Sequence, residues 1–389
     1  MHVTRRSLHL RLSLFYFAYF LMLGGYAPFF GLYLKSLGFA SFEIGTLLAL
    51  VPVVRSFVPA LWAWAADHQG ERRHLVRWTT AGATVACAGL LLGSGFWWLF
   101  VVLLALNIFW CAALPLVEAT TFGLLKGRLG DYGRIRVWGS LSFILAVLAL
   151  GPAFDWSGVG VLPWALLMLF ALMAGAAWLL PSDRMPAHHG EHVPIGRVVR
   201  RPEVVALFAA CFLMSLAHGP YNSFYSIHLV ELGYSKTSLS WLWALSVVAE
   251  VGVFLWMPFI LRRFSIPNVI AFSLGCAVVR FLMIGWAAQY PVVAAGAQLL
   301  HAATFGAHHA AALAAIHHFF QGRHASRGQA LYTGVGFGAG GAAGVFLSGW
   351  MWDHVGPRAT FGFGAAVAMV ALAIVLAWLR MPRIAHAGA

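Results

Sequence analysis

Charged residues are scarce in this sequence of 389 residues. Asp, Glu, Lys and Arg make up 10% of it, whereas 61% of the residues are hydrophobic. A soluble globular protein carries about 25% charged residues, so this chain has too few to cover a surface that faces water. The composition excludes an ordinary soluble protein and indicates a protein of the lipid bilayer.

Cysteine is also rare. The four cysteines, Cys87, Cys111, Cys211 and Cys276, all lie inside apolar stretches and show no paired spacing. Disulfide frameworks and zinc knuckles require cysteines at short, regular spacings. The sequence therefore predicts neither a disulfide framework nor a structural metal site.

Signatures of catalysis and of nucleotide binding are missing too. The sequence has no Walker loop, no Ser/His/Asp arrangement and no paired catalytic carboxylates. A G-x-G-x-x-G pattern at Gly336, Gly338 and Gly341 lies inside an apolar stretch, whereas a dinucleotide site needs a strand before the pattern. Overlapping G-x-x-x-G pairs there predict close helix packing instead. We expect no enzyme activity, no ATP-driven transport and no cofactor.

Apolar stretches of about 20 residues dominate the rest of the chain, which is the length that spans a bilayer as a helix. The stretches do not alternate apolar and polar residues, as barrel strands do. The sequence therefore predicts an all-α integral membrane protein with twelve transmembrane helices. Their predicted bounds are 12–34, 43–66, 75–94, 97–124, 136–153, 161–180, 203–228, 238–261, 266–287, 291–320, 328–351 and 358–380.

The longest polar stretch, 181–202, divides these helices into two halves of six, 1–180 and 203–389. Most Lys and Arg residues lie at the two termini, in this linker and in the loops on the same side of the membrane. The positive-inside rule then places both termini in the cytoplasm. The net charge of +13 is therefore a signal of topology, and we expect no nucleic-acid partner.

Several stretches resemble the major facilitator superfamily. The segment AWAADHQGERRHLV (63–76) is similar to the superfamily's signature between the second and third helices, with Ala63 in place of the first glycine. The resemblance implies that Asp67, Gly70, Arg72 and Arg73 form a gating motif.

Other stretches are similar to particular branches of the superfamily. YFAYFLMLGGYAPFFGLYLKSLG (16–38) resembles the first span of lactose permease and its relatives. DYGRIRVWGSLSF (131–143) and QLLHAATFGAHHAA (298–311) resemble the phenylpropionic acid permease branch. These resemblances imply two pseudo-symmetric helix bundles, alternating access and proton-coupled symport of a small solute. We expect a monomer in the bacterial inner membrane.

Four charged residues lie well inside predicted spans, away from the span ends, at Arg55, Glu118, Glu250 and Arg280. A charge at the bilayer centre costs at least about 2.5–3.5 kcal/mol, so each must either lock helices together or serve transport. Glu250, Arg280 and His301 lie at similar depths, and we expect Glu250 to lie near Arg280. Lactose permease couples protons with the same three residue types on its corresponding helices, which implies that role for these residues here.

The charges of the first half leave two interpretations open. Arg55 either pairs with Glu118 or holds a substrate carboxylate, for which its planar guanidinium is suited. Glu118 is a candidate substrate-binding residue in either case.

Polar residues in the seventh and tenth spans complete the predicted site. At 100° per residue, Gln298, His301, Thr304 and His308 share one helix face, which we interpret as a cavity wall. His301 and His308 are candidates for proton coupling, and Gln298 is one for substrate binding. No two of the histidines in 301–320 have the i, i+4 spacing typical of a metal site. In the seventh span, His218, Tyr221 and Asn222 are predicted to bind substrate beside a kink at Gly219–Pro220.

The identity of the substrate is less constrained. The phenylpropionate-like stretches and the buried arginines favour a small aromatic carboxylate. A sugar or nucleoside symporter is the first alternative. Lactose permease, however, has a sugar-binding tryptophan seven residues after an arginine of its fifth span, and seven residues after Arg134 and Arg136 this chain has Leu141 and Phe143. A proton-driven exporter is the second. From other classes, a non-transporting membrane sensor and a histidine-iron membrane enzyme are the remaining alternatives.

Overall fold

The computed structural model describes residues 5–69, 71–125, 129–182 and 195–381. In these ranges every secondary-structure element longer than one residue is helical, so the predicted all-α class is confirmed. Of the predicted linker, residues 183–194 lie outside the described residues. The chain divides into two compact units, Met1–His189 with Tyr234–Ala244 (unit 1), and Gly190–Gly233 with Leu245–Ala389 (unit 2).

Unit 1 is built from long helices joined by short turns. Short 3₁₀ turns at Gly89–Leu91 and Val159–Val161 extend two of its helices. Its α-helices are α1 (Arg5–Tyr26), α2 (Phe30–Ser36), α3 (Ser41–Gln69), α4 (Arg72–Ala88), α5 (Phe96–Leu125), α6 (Leu129–Ser157) and α7 (Leu162–Trp178).

Unit 2 contains the remaining helices, and its boundary with unit 1 falls inside α11. Two segments of this unit are π-helical, Ala302–Ala307 and Tyr332–Gly340. The α-helices are α8 (Gly196–Val199), α9 (Pro202–Ala217), α10 (Gly219–Glu231), α11 (Lys236–Arg263), α12 (Ile266–Ala287), α13 (Pro291–His301), α14 (His308–Phe319), α15 (Ala325–Leu331) and α16 (Gly341–Trp378).

Ten helical stretches among the described residues are long and apolar enough to cross a membrane. Two features make this number consistent with the twelve predicted spans. Helix α4, which corresponds to the third span, has only 17 residues. The last stretch covers 52 residues, Arg327–Trp378, and contains a sharp break at Gly356, where φ is 81° and Pro357 follows. That break separates the predicted eleventh and twelfth spans.

The predicted kink in the seventh span is confirmed. Helix α9 ends at Ala217 and α10 begins at Gly219, with His218 between them at φ −79° and ψ −6°. Proline lacks the backbone N–H that would continue the helical hydrogen bonds. The break therefore follows from Pro220, and it positions His218 at the junction.

The predicted close packing of the glycine-rich stretch is also confirmed. A Cβ atom on Gly340 would lie 2.5 Å from the carbonyl oxygen of Phe212, and one on Gly344 would lie 2.5 Å from that of Leu216. Only glycine permits the backbone of the eleventh span to approach α9 so closely. Gly219 in turn lies against Gly344, so this contact extends along both parts of the seventh span.

Candidate functional site

The centre of unit 2 holds a fully buried arginine. Arg280 in α12 is 0% exposed. Its Nε donates to the carbonyl oxygen of Ala297 at 3.0 Å, its Nη1 to Oγ1 of Thr304 at 3.2 Å and its Nη2 to Oε1 of Gln298 at 3.3 Å. The guanidinium therefore uses neutral oxygen acceptors on the tenth span to replace the water that burial removes.

Aromatic and imidazole rings complete the surroundings of Arg280. Its Cζ lies 4.0 Å from the ring centroid of Tyr221, within the range of a cation–π interaction. His218 Nε2 lies 3.4 Å from Nη1 of Arg280. In the part of the chain that the structure describes, no Asp or Glu side chain forms an ion pair with Arg280. The positive charge is thus solvated by polar and aromatic groups but is not neutralised.

Glu250 lies beside His301, and no ion pair joins it to Arg280 among the described residues. Oε2 of Glu250 is 3.9 Å from Nε2 of His301, and the Glu250 and His301 side chains are 20% and 10% exposed. The His301 ring lies 5.3 Å from the Tyr221 ring. Contacts therefore lead from Arg280 through Tyr221 and His301 to Glu250. The sequence supplied only the depth of each residue, whereas helix rotation decides which side chains meet.

The Glu250 side chain packs against a glycine, Gly306, in the first π-helical segment. A Cβ atom on Gly306 would lie 3.2 Å from Cγ of Glu250. The missing side chain at position 306 therefore leaves the space that Glu250 occupies beside the tenth span. Segments of π-helix often occur at functional sites, and this one separates His301 from His308.

The face of the tenth span that was expected to line a cavity is largely covered. Gln298 and Thr304 bond to Arg280, as described above, and Nδ1 of His308 lies 3.0 Å from Oγ of Ser273 in α12. Gln298, His301, Thr304 and His308 are all buried. Gln298, Thr304 and His308 all contact α12, and Thr304 and His308 also line a small cavity, so the role of this face as a cavity wall stays a prediction.

A small cavity of about 80 Å³ lies between the seventh, tenth and eleventh spans of unit 2. The His308 ring lines it, and Nε2 of this ring is buried without a hydrogen-bond partner among the described residues. Asn222, which is exposed, also lines the cavity, as do His218 and His309. Nδ1 of His309 lies 2.8 Å from the Tyr332 hydroxyl. Among the described side chains, no three His, Cys, Asp or Glu residues are grouped so as to hold a metal ion.

In unit 1, Arg55 and Glu118 do not form an ion pair. The Cζ of Arg55 lies 5.0 Å from the centroid of Trp110. Glu118 accepts a hydrogen bond of 3.4 Å from the Tyr132 hydroxyl. The guanidinium of Arg136 interacts electrostatically with the Glu118 carboxylate. The structure therefore does not support the first of the two interpretations of Arg55.

Arg55 instead faces an aromatic surface that sequence reasoning missed. The ring centroids of Tyr19 and Tyr26 lie 6.3 and 5.3 Å from that of Trp110. Both tyrosine hydroxyls interact electrostatically with the guanidinium of Arg55. The Tyr26 hydroxyl is buried and has no hydrogen-bond partner among the described residues. Tyr19 and Tyr26 are seven residues apart and share a helix face, which is the signal that could have identified them.

The predicted gating motif is only partly described. Asp67 lies near the end of α3, but its side chain lies outside the described residues, and so does Gly70. Arg72 begins α4. Nη2 of Arg73 lies 3.0 Å from Oε1 of Glu71, a residue that the sequence analysis did not single out.

Glu71 lies in the turn between α3 and α4 and forms several polar contacts. The Ser182 hydroxyl donates to its Oε1, and His74 Nε2 lies 2.9 Å from its Oε2. The hydrogen bond from Ser182, followed by the positive charges of Arg73 and His74, lowers the pKa of Glu71 below its ordinary value. Glu71 is therefore an anion that connects the start of α4 to the residues after α7.

Comparisons with known proteins agree with this architecture. Residues 9–363 match the MFS_1 like family. The chain is 29% identical over 371 residues to the probable 3-phenylpropionic acid transporter of Escherichia coli strain K12, covering 93% of this chain and 95% of that protein. It is 26% identical over 385 residues to maltose permease of Geobacillus stearothermophilus, covering 96% and 95%.

A solved structure shares the same fold. The crystal structure of the nucleoside transporter NupG superposes with a TM-score of 0.82 at 17% identity, over 96% of this chain and 100% of that one. At this identity the likeness concerns the fold alone. Because the family match covers most of the sequence, the chain belongs to the MFS_1 like family and is a membrane transporter of the major facilitator superfamily, not an enzyme.

Proposed function

We propose that this protein is a proton-coupled symporter of a small aromatic carboxylate. The observation that carries the proposal is the surroundings of Arg55 in unit 1. Its partly exposed guanidinium has no carboxylate partner among the described residues. It lies over Trp110 and near the unused hydroxyl of Tyr26. A guanidinium and a hydroxyl are donors suited to a carboxylate, and the neighbouring rings suit an aromatic group.

The relatives support the same substrate class. One of them carries the name of a probable 3-phenylpropionic acid transporter and matches nearly the full length of both chains. A phenylpropionate ion combines the two chemical features, a carboxylate and an aromatic ring, that the Arg55 region would bind.

In the proposed mechanism Glu250 carries the coupled proton and shares it with His301. The Glu250 side chain is 20% exposed whereas His301 is buried, so we propose that the proton reaches Glu250 first from water. Arg280 keeps a fixed positive charge at the other end of the contacts through Tyr221, which disfavours a second positive charge on His301. The proton is therefore held on the Glu250–His301 pair. We propose that His308, with an unused ring nitrogen at the small cavity, extends the path.

The remaining predicted residues divide between two roles. Asn222 is exposed at the small cavity, so we propose that it contacts substrate. His218, Tyr221 and Gln298 contact Arg280, and we propose that they position it. Glu118, bonded by Tyr132, offers an acceptor that a hydroxylated substrate would use.

That acceptor favours a second candidate, a proton symporter of a sugar or nucleoside. Such substrates present hydroxyl donors that Glu118 accepts, and relatives named as a maltose permease and as nucleoside permease NupG of Escherichia coli support this class. Arg55 distinguishes the two candidates, because a neutral substrate gains little from an uncompensated cation.

The membrane topology and the gating motif at Asp67 complete the proposed function. We propose that the protein lies in the bacterial inner membrane with both termini in the cytoplasm, which reporter fusions at each terminus would test. We also propose that Asp67 braces one conformation. Asp67→Asn should then slow transport and leave substrate affinity nearly unchanged, whereas a wild-type rate would count against the gate.

The function is tested with the purified protein in proteoliposomes that carry a pH gradient. We expect uphill accumulation of labelled 3-phenylpropionate that collapses when a protonophore is added. Uridine and maltose serve as alternative substrates, and protein-free liposomes show the passive entry of the acid. Accumulation of uridine or maltose in place of the acid would establish the second candidate.

A further inference from the structure

The surface of unit 1 has a groove that none of the candidate site residues lines. The groove, of about 420 Å³, runs between the first part of α1 and the first part of α6. Its walls are mainly apolar and include Leu10, Leu14, Phe17 and Trp138. Leu10, Leu14 and Trp138 are 60%, 40% and 46% exposed, so the groove opens outward.

The direction of α6 separates this groove from the candidate site. The Cζ of Arg136 in α6 lies 4.0 Å from the ring centroid of Phe20. The Arg136 guanidinium interacts electrostatically with Glu118. Trp138, two residues later, points about 200° away on the helix. The groove therefore opens on the side of α6 opposite to Glu118, which in a membrane-spanning helix is a side available to lipid.

The apolar surface continues along α6 beyond the groove. Leu141 and Leu145 follow Trp138 at intervals of three and four residues, on the same face, and each is 52% exposed. At 1.5 Å per residue this strip is about 10 Å long. Together with the groove it forms a track that suits a lipid acyl chain.

Positive charge lies at the end of the groove nearest the N-terminus. Arg134 lines the groove and is exposed. Arg6 is exposed and lies four residues before Leu10, so it shares that face of α1. Neither arginine has a hydrogen bond or an ion pair with any residue that the structure describes.

The nearest acid does not offset this charge. Asp131 is 6% exposed and accepts hydrogen bonds of 2.9 and 2.8 Å from Nη2 of Arg5. His9 Nε2 lies 3.5 Å from the same carboxylate. Asp131 is thus already engaged, and Arg6 and Arg134 leave the groove with an uncompensated positive end.

We propose that this groove binds one anionic phospholipid, with its phosphate at Arg6 and Arg134 and an acyl chain along Leu14, Phe17 and Trp138. Guanidinium groups bind phosphate well, and basic pockets between membrane helices bind anionic headgroups. The apolar track requires a ligand with a hydrocarbon tail, which free phosphate lacks. The site is independent of the substrate and of the proton coupling proposed above.

Delipidated full-length protein tests the site, with native mass spectrometry and thermal unfolding as readouts. Dioleoyl phosphatidylglycerol should bind and raise the unfolding temperature, whereas dioleoyl phosphatidylcholine should do so much less. The double variant Arg6→Gln/Arg134→Gln should bind phosphatidylglycerol roughly thirtyfold more weakly, from about fivefold for each basic residue near an anionic headgroup. Ser13→Trp, which fills the groove without changing charge, should weaken binding as well.

The matched control is Arg262→Gln/Arg263→Gln, which removes two exposed arginines at the end of α11. It should bind phosphatidylglycerol as the wild type does. Three results would overturn the proposal. These are unchanged binding in Arg6→Gln/Arg134→Gln, an equal loss in the control, and stabilisation by glycerol 3-phosphate alone to the level reached with phosphatidylglycerol.

Discussion

Each compact unit holds an arginine near the middle of a candidate membrane span, Arg55 in unit 1 and Arg280 in unit 2, and the two differ in what surrounds them. Arg280 in unit 2 is fully buried and bonds to Ala297, Gln298 and Thr304. Arg55 in unit 1 is partly exposed and contacts the face of Trp110. The hydrogen-bonding capacity of Arg280 is used within the protein, whereas that of Arg55 remains available. A buried cation is therefore evidence of a binding site only when its donors are free.

The largest difference between the two arginines should appear when each side chain is removed. Arg280→Met removes the hydrogen bonds that Gln298 and Thr304 accept from the guanidinium, and each hydrogen bond to a charged group contributes about 1.5–3 kcal/mol. We expect its thermal unfolding temperature in detergent to fall sharply. Arg55→Met is the matched variant and should unfold close to the wild type. An equal loss in both variants would remove the distinction between them.

Glu250→Gln should abolish uphill uptake driven by a pH gradient and preserve substrate exchange, because exchange needs no net proton movement. Since Glu250 lies beside His301 and not on Arg280, the variant should also remain stable. Glu203→Gln at the start of α9 is the control and should retain accumulation. A stable Glu250→Gln protein that still accumulates substrate would show that the proton is carried elsewhere.

Gln298→Leu tests whether this residue positions Arg280. Removing one hydrogen bond to a charged group should cost about 1.5–3 kcal/mol, a smaller effect than that of Arg280→Met. Substrate affinity should change little in the folded protein. The opposite pattern, wild-type stability with weakened substrate binding, would make Gln298 a direct substrate contact.

Tyr26→Phe should have the smallest effect. The Tyr26 hydroxyl has no partner among the described residues, so its removal should leave the unfolding temperature unchanged. Loss of one hydrogen bond to a bound carboxylate should weaken binding by about tenfold or more. Tyr33→Phe in α2 is the control. Unchanged affinity in Tyr26→Phe would place the carboxylate away from this hydroxyl.

Much of the fold could be predicted from the sequence, because the features that indicate it lie within single helices. The lengths of the apolar stretches, the Gly219–Pro220 break and the packing of Gly340 and Gly344 were all predicted and confirmed. Each depends on residues close together in sequence or on the absence of a side chain. Such local features require no knowledge of how a helix is rotated.

The contacts of the site were harder to predict because they depend on rotation and on unexpected helix geometry. The sequence placed Glu250 and Arg280 at one depth but did not show that Tyr221 and His301 form the contacts between them. The π-helical segment Ala302–Ala307, which lies between His301 and His308, was not predicted from the sequence. In unit 1, a tyrosine in an apolar span resembles ordinary packing, so the unused hydroxyl of Tyr26 became visible only in the structure.

The most direct test of the central claim measures the affinity of wild type and Arg55→Lys for two ligands, 3-phenylpropionate and its neutral amide. If Arg55 binds the carboxylate, the wild type should prefer the acid. The variant should lose about tenfold or more in affinity for the acid, because a lysine does not replace a planar guanidinium. Its affinity for the amide should be nearly unchanged. An equal change for acid and amide, or none for either, would contradict the assignment of Arg55 as the carboxylate-binding residue.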